Sequence, residues 1–335
     1  MRGDARRLRV LLGLALSAVA CQAGLAQEPD GRRGMIAPHP QPPSPFHDEV
    51  HGAVSDDGLA FRVLPGPFFQ QASVPDIVEL TRESPVGSPG TLLVYFVDFR
   101  EMRRPGTEGI SVASSRDGER WSDPRRVSIA KKVNQGAAVD PSIVQLNDGR
   151  LRMYFFGSET TRSDPASVPG DHVIYSAVSE DGVHFEVEPG VRFGAPRITD
   201  PEVLQVGSEW WMFLSRGHET LLARSTDGLT FIPDETFTLS IGGVPGAVVL
   251  EDGRVRVFAS GHEGIVSATV DPEPRAVPTP DPGVRVSRGN ARVVADPACV
   301  RRRDGSYYLI VKKQPRQEPE LEFEPRFRPR RGGKP

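Results

Sequence analysis

Short apolar runs separated by tight polar turns repeat along most of the chain. The first run of each unit is recognisable by a proline near its start. These runs read Val74-Pro75-Asp76-Ile77-Val78, Val139-Asp140-Pro141-Ser142-Ile143, Thr199-Asp200-Pro201-Glu202-Val203, Val244-Pro245-Gly246-Ala247-Val248 and Ala295-Asp296-Pro297-Ala298-Cys299. Four then meet a turn: Asn147-Asp148-Gly149, Gly207-Ser208, Glu251-Asp252-Gly253 and Arg303-Asp304-Gly305. Asp-Gly between apolar runs signals a hairpin, because Gly takes φ > 0 without a steric cost. Second runs follow at 92–97, 151–156, 210–214, 255–259 and 307–311. Third runs at 111–115, 173–179 and 221–225 lead into Asp117-Gly118, Asp181-Gly182 and Asp227-Gly228. Trp121, Phe185 or Phe231 then opens a fourth, outer run.

Four antiparallel strands in repeats of roughly fifty residues describe the blades of a β-propeller. The fifth unit stops after two strands, near Lys313. Its missing half is found at the other end of the chain, in 52–55, the Asp57-Gly58 turn and 59–61. The fold class is therefore all-β: a five-bladed β-propeller whose last blade is closed by N-terminal strands. Such closure removes the free edges of an open sheet.

Composition adds the ends. Gly 34 and Pro 32 make up about a fifth of 335 residues, against ~12% in average proteins, which argues against long helices. Residues 1–26 read as an export signal, with Arg2, Arg6, Arg7 and Arg9 ahead of an apolar run too short to span a bilayer. Gly24-Leu25-Ala26 suits signal peptidase, whereas Ala18-Val19-Ala20-Cys21 resembles a lipoprotein box with a lipid anchor at Cys21. Residues 27–46 form a Pro-rich linker, 47–313 the propeller and 314–335 a disordered tail. The expected location is exported: periplasmic, outer-membrane lipoprotein or extracellular. Cys21 and Cys299 are the only cysteines, so either cleavage route leaves no internal disulfide. Lys+Arg 41 against Asp+Glu 44 excludes a basic nucleic-acid binder. A monomer acting on an oligo- or polysaccharide is expected.

Antiparallel geometry sorts the polar residues onto two faces. Asp117, Asp148, Asp181, Asp227, Asp252 and Asp304 are turn formers on one face. The other face collects Asp76, Asp140, Asp200 and Asp296 from the innermost strands. Loops after the second strands add Arg100, Glu101, Glu159, Arg216, His218, Glu219, His262 and Glu263 as substrate-binding candidates, with Asp296 among them. Converging carboxylates in a funnel suit glycoside hydrolysis, where one acid protonates the leaving oxygen and one carboxylate activates water. A scaffold role is the alternative, since Asp-Pro recurs in three units. No spacing matches a metal motif, and no cofactor is expected beyond a candidate Ca²⁺ at the axis.

The Asp-bearing strands and the blade count resemble the furanosidase-type glycoside hydrolase superfamily of arabinanases, β-xylosidases and invertases, over about residues 50–313. The resemblance implies Asp76 as base or nucleophile, Asp140 as modulator and Glu202 or Asp200 as acid. At the third-blade acid position this chain carries Asp200, with Glu202 nearby, where the superfamily has Glu. The Ser-x-Asp-Gly-x-x-Trp/Phe turns, such as 115–121, also resemble sialidase Asp boxes. Sialidases need six blades and an arginine triad, for which Arg100, Arg197 and Arg216 are candidates. A catalytically silent glycan-binding propeller is the reading from a different class.

Overall fold

The computed structural model describes residues 44–102, 108–130, 138–157, 171–272 and 276–316. The expected export signal with Cys21, most of the Pro-rich linker, Glu159 and the tail beyond residue 316 lie outside the described residues. Ser44–Arg316 form one unit, and its regular elements among the described residues are strands except for a 3-10 turn at Pro45–His47.

Five separate sheets form the blades. The first runs Ala72–Glu79, Leu92–Asp98, Gly109–Ser115 and Arg125–Arg126 from axis to rim. The second runs Ala138–Gln145, Leu151–Gly157, Asp171–Ser179 and His184–Val187, and Ser128–Ala130 adds a parallel outer strand. The third runs Thr199–Val206, Glu209–Arg216, Glu219–Ser225 and Ile232–Pro233. The fourth runs Gly243–Val249, Val255–Gly261, Gly264–Asp271 and Val277–Pro280. In the fifth, Val293–Arg301 and Tyr307–Gln314 are completed by Glu49–Ser55, which pairs antiparallel with register Ser55↔Tyr307. The ring is thus closed from both chain ends, as the split repeat predicts. The innermost strands touch in sequence order, and the fifth returns to the first.

The core is correspondingly divided into five apolar clusters, one per blade interface. Strand alternation sends neighbouring side chains to opposite interfaces. Trp211 is buried between blades three and four, while Trp210 packs on the other side, against the blade-two cluster. Trp121 packs edge-on to Phe69 and Tyr308 between blades five and one.

The Asp-Gly turns act as small hydrogen-bonded knots. In the turn after the third strand of blade two, Ser179 Oγ accepts from the Gly182 N–H, and Asp181 Oδ1 accepts from the N–H groups of Val183 and His184. The same set recurs at Ser55, Ser115 and Ser225. These backbone donors hold Asp57, Asp117, Asp181 and Asp227 below the usual carboxylate range. The knots also tie blades together. Tyr95 Oη donates to the Gly182 carbonyl at 2.8 Å, and Tyr154 Oη donates to the Gly228 carbonyl at 2.8 Å. Tyr308 does the same to Gly118.

At the opposite end each innermost strand begins with one device. A residue of positive φ precedes a proline, and the pairing slips before it resumes. The positive-φ residues are Val74 (45°), Asp140 (53°), Asp200 (50°), Val244 (50°) and Asp296 (51°). The register shifts fall at the same place in every blade. Asp tolerates the left-handed conformation better than most side chains, whereas a β-branched residue is strained there. The recurrence of Asp-Pro in three blades therefore has a backbone reason.

Candidate active site at the propeller axis

The bulge fixes which carboxylates are equivalent. Val74, Asp140, Asp200, Val244 and Asp296 share one position, before the proline. Asp76, Ser142, Glu202, Gly246 and Ala298 share another, two residues on. The structure separates Asp76 from Asp140 and Asp200, with which the repeat pattern aligned it. The first-blade counterpart of those two aspartates is Val74.

The second set ties blade to blade. Asp76 Oδ2 accepts from the N–H of Ile143 on blade two at 2.5 Å, and the Ile77 N–H also bonds this carboxylate. Ser142 Oγ accepts from the N–H of Val203 on blade three at 2.9 Å. Glu202 Oε1 accepts from the N–H of Ala247 on blade four at 3.0 Å. The run ends at Gly246, where a Cβ would overlap the Pro297 carbonyl of blade five. Asp76 and Glu202 are buried. Burial pushes the Asp76 carboxyl up to about 7, against the two backbone donors. Burial, then the nearby Asp76, raises Glu202 well above its ordinary value.

The first set gathers a different cluster. Asp140, Asp200 and Asp296 feel one another's charge, and Lys312 joins them from the second strand of blade five. Lys312 Nζ lies 2.6 Å from Asp296 Oδ2. Asp296 is buried, whereas Asp140 and Asp200 are half-buried. The Asp140 carboxylate accepts from the N–H of Asp200, and Thr199 Oγ1 donates to Asp200 Oδ2 at 2.6 Å. Burial, then the charges of Asp200 and Asp296, raises the Asp140 carboxyl well above its ordinary value. Burial and Asp296 push Asp200 up to about 6. Burial alone would lower the Lys312 ammonium, but Asp296 and Asp48 outweigh it and raise it. Asp48 is itself raised by burial and accepts from Gln314 Nε2 at 2.8 Å. Lys312 thus places a fixed positive charge among the carboxylates at the axis.

The remaining candidates share this face, because the second strands end beside the starts of the innermost ones, as in Ala72↔Asp98 and Thr199↔Ser215. Arg100 pairs with buried Asp98, and its hydrogen bonds together with that from Ser111 outweigh burial and hold Asp98 low. Glu101 is exposed beside it. Arg216 and Glu219 close their hairpin with a 2.9 Å ion pair. The two His-Glu pairs are one residue out of step. Arg216↔Glu219 and Gly261↔Gly264 are the matched closing pairs, so exposed His218 corresponds to Glu263, and His262 to Gly217. Arg197 is exposed just before blade three, and Arg100 and Arg216 each pair with a carboxylate of their own blade. Among the described residues no group of three His, Cys, Asp or Glu is arranged to hold a metal ion.

Asp48 and Thr199 are additions to the site read from the sequence, which already sets Lys312 and Lys313 at the blade-five place equivalent to the other loops of this face. Lys312 had a usable signal: an apolar strand that turns basic at its axial end. Asp48 had none, because its place depends on the N-terminal segment meeting the last strand.

No protein-family model matches the chain, and no curated protein does. Solved structures share its fold. The sucrose-6-phosphate hydrolase from Lactobacillus gasseri matches with TM-score 0.54 and 12% identity, over 79% of this chain and 56% of that one. The Bombyx mori GH32 beta-fructofuranosidase BmSUC1 matches with TM-score 0.52 and 14% identity, over 79% of this chain and 57% of its own. A thermostable family-43 glycoside hydrolase matches with TM-score 0.53 and 12% identity, over 72% of this chain and 88% of that one. The chain therefore spans just over half the length of the first two. The fold is that of the five-bladed glycosidase propellers.

Proposed function

We propose that this protein is an exported glycan-active propeller, a glycoside hydrolase whose acid–base work falls to Asp140 and Asp200. One observation carries the reading: two neighbouring, half-buried carboxyls at the axis, both with raised proton affinity, beside the fixed Asp296–Lys312 ion pair. Asp140, whose proton affinity burial and the neighbouring Asp200 and Asp296 charges raise well above the ordinary value, serves as the acid. Asp200, up to about 6, is mostly ionised at pH 7 and serves as the base or nucleophile. Lys312 and Asp296 hold the local charge in place. Arg100, Arg216, His218, His262 and Glu263 lie on the same face, where substrate hydroxyls would meet them. Asp76 and Glu202 act as inter-blade ties in this reading. The fold likeness to glycosidases supports the substrate class. Export, with removal of the signal or a lipid anchor at Cys21, belongs to the same proposal.

The test is a panel of aryl furanosides and pyranosides. Turnover should fall by at least ~10²-fold in Asp140→Asn and in Asp200→Asn. The acidic limb set by Asp200 should be lost in Asp200→Asn, and the alkaline limb set by Asp140 should move down as that neighbouring charge goes. Full activity in both variants would refute the assignment. The second reading is a glycan-binding propeller without catalysis, favoured by Val74 standing where blades two and three carry aspartate. Retention of glycans on an array with no product released from any substrate would select it.

A further inference from the structure

The opposite, turn-bearing face carries a second cluster that the axial chemistry does not use. Between blades five and one lies a cavity of about 330 Å³ lined by Glu79, Gly90, Arg116, Arg302, Arg303 and Asp304, among others. That is at the small end of ligand-site volumes. Glu79 ends the innermost strand of blade one, and Arg302 to Asp304 belong to the blade-five hairpin. The cavity therefore sits a full strand length from Asp140 and Asp200.

Its polar groups are arranged but incompletely paired. The Glu79 side chain is 5% exposed. Its Oε1 accepts from the Arg303 N–H at 3.3 Å. Its Oε2 is 3.7 Å from Arg302 Nε, beyond hydrogen-bond reach. Among the described residues neither buried atom has a hydrogen-bond partner. Native proteins seldom leave such atoms unpaired. Arg116 is held at the cavity mouth, its Nη1 donating to Thr91 Oγ1 at 2.9 Å and to the Ser88 and Pro89 carbonyls. Asp304 Oδ1 is occupied by Ser306.

We propose that this cavity is a binding site for a small hydroxylated monoanion, of the sugar-acid class. Three guanidinium groups supply the forked donors that a planar carboxylate prefers. Two carboxylates line the cavity beside them, Glu79 and Asp304, to accept hydroxyl hydrogens. The charge balance also sets the ligand. Three arginines against Glu79 and Asp304 leave one net positive charge, which matches one carboxylate and disfavours a phosphate dianion. A neutral sugar would leave the arginines unanswered. Burial raises the Glu79 carboxyl, against the charge of Arg302 and the Arg303 N–H.

The experiment is titration calorimetry on the full chain with D-glucuronate, D-glucose and inorganic phosphate. Glucuronate should bind with Kd on the order of 1 mM. Glucose and phosphate should each bind at least about tenfold more weakly. Arg303→Gln and Glu79→Gln should each lose about tenfold in glucuronate affinity, with the ligand-free melting point of the exposed Arg303→Gln unchanged. Asp200→Asn should bind glucuronate as the parent does, so failure here is separate from failure at the axis. The proposal is overturned if glucuronate gives no binding heat, if phosphate binds equally well, or if Arg303→Gln binds like the parent.

Discussion

Replacing Asp76 separates the two roles that the sequence left open for it. In the fold its carboxyl is pushed up to about 7 from an ordinary value of 3.8. The folded chain therefore holds a proton between those pH values that the unfolded chain releases. Stability falls as pH rises through that window. A shift of roughly three units corresponds to a ceiling of ~4 kcal/mol. Small relaxations around a buried charge reduce it, and about half, ~2 kcal/mol, is expected at pH 8. Asp76→Asn is neutral at every pH and keeps an oxygen for the Ile143 N–H. It should match the parent at pH 4 and exceed it by ~2 kcal/mol at pH 8, or about 4–8 °C in Tm. Asp76→Ala leaves the buried N–H groups of Ile143 and Ile77 without their acceptor and should cost ~2 kcal/mol or more even at pH 4. Urea and thermal unfolding at both pH values decide the matter. An Asp76→Asn chain as unstable as Asp76→Ala, or one with the parent's pH dependence, would refute the inter-blade tie. A folded Asp76→Asn chain with no turnover on a substrate the parent cleaves would restore Asp76 as the base.

Other outcomes follow from the same geometry. Lys312→Met strips the counter-ion from buried Asp296 and should destabilise by ~3–5 kcal/mol, read as a lower urea midpoint. Gly246→Ala drives a Cβ into the Pro297 carbonyl where blades four and five meet. It should cost ~1–3 kcal/mol and speed exchange of the blade-five amides measured by hydrogen exchange.

Much of the fold was legible because its signals are local. Asp181-Gly182 and its counterparts encode the turn in six consecutive residues, and the hydrogen bonds that form stay within them. The split fifth blade was readable because a two-strand remainder at one end and its complement at the other leave one way to close the sheet. The site was harder. Asp76-Ile77-Val78 and Ser142-Ile143-Val144 align once the bulge is known, yet Asp76 reads in sequence as the partner of Asp140. His218-Glu219 and His262-Glu263 look alike in sequence as well, yet the hairpin registers set them one residue apart within a two-residue turn.

The sequence by itself determined the number of blades, the face on which the turns lie and the closure by both ends, because each rests on period and turn chemistry. Only the tertiary structure decided which carboxylates meet at the axis. A bulge moves the pairing on, so residues two apart in sequence enter different environments. Asp140 and Asp200 face the axial cluster with Lys312, while Asp76 and Glu202 bond the backbone of the next blade. That division depends on contacts between strands about sixty residues apart, Ile143 to Asp76 among them, and such contacts exist only once neighbouring blades have packed together.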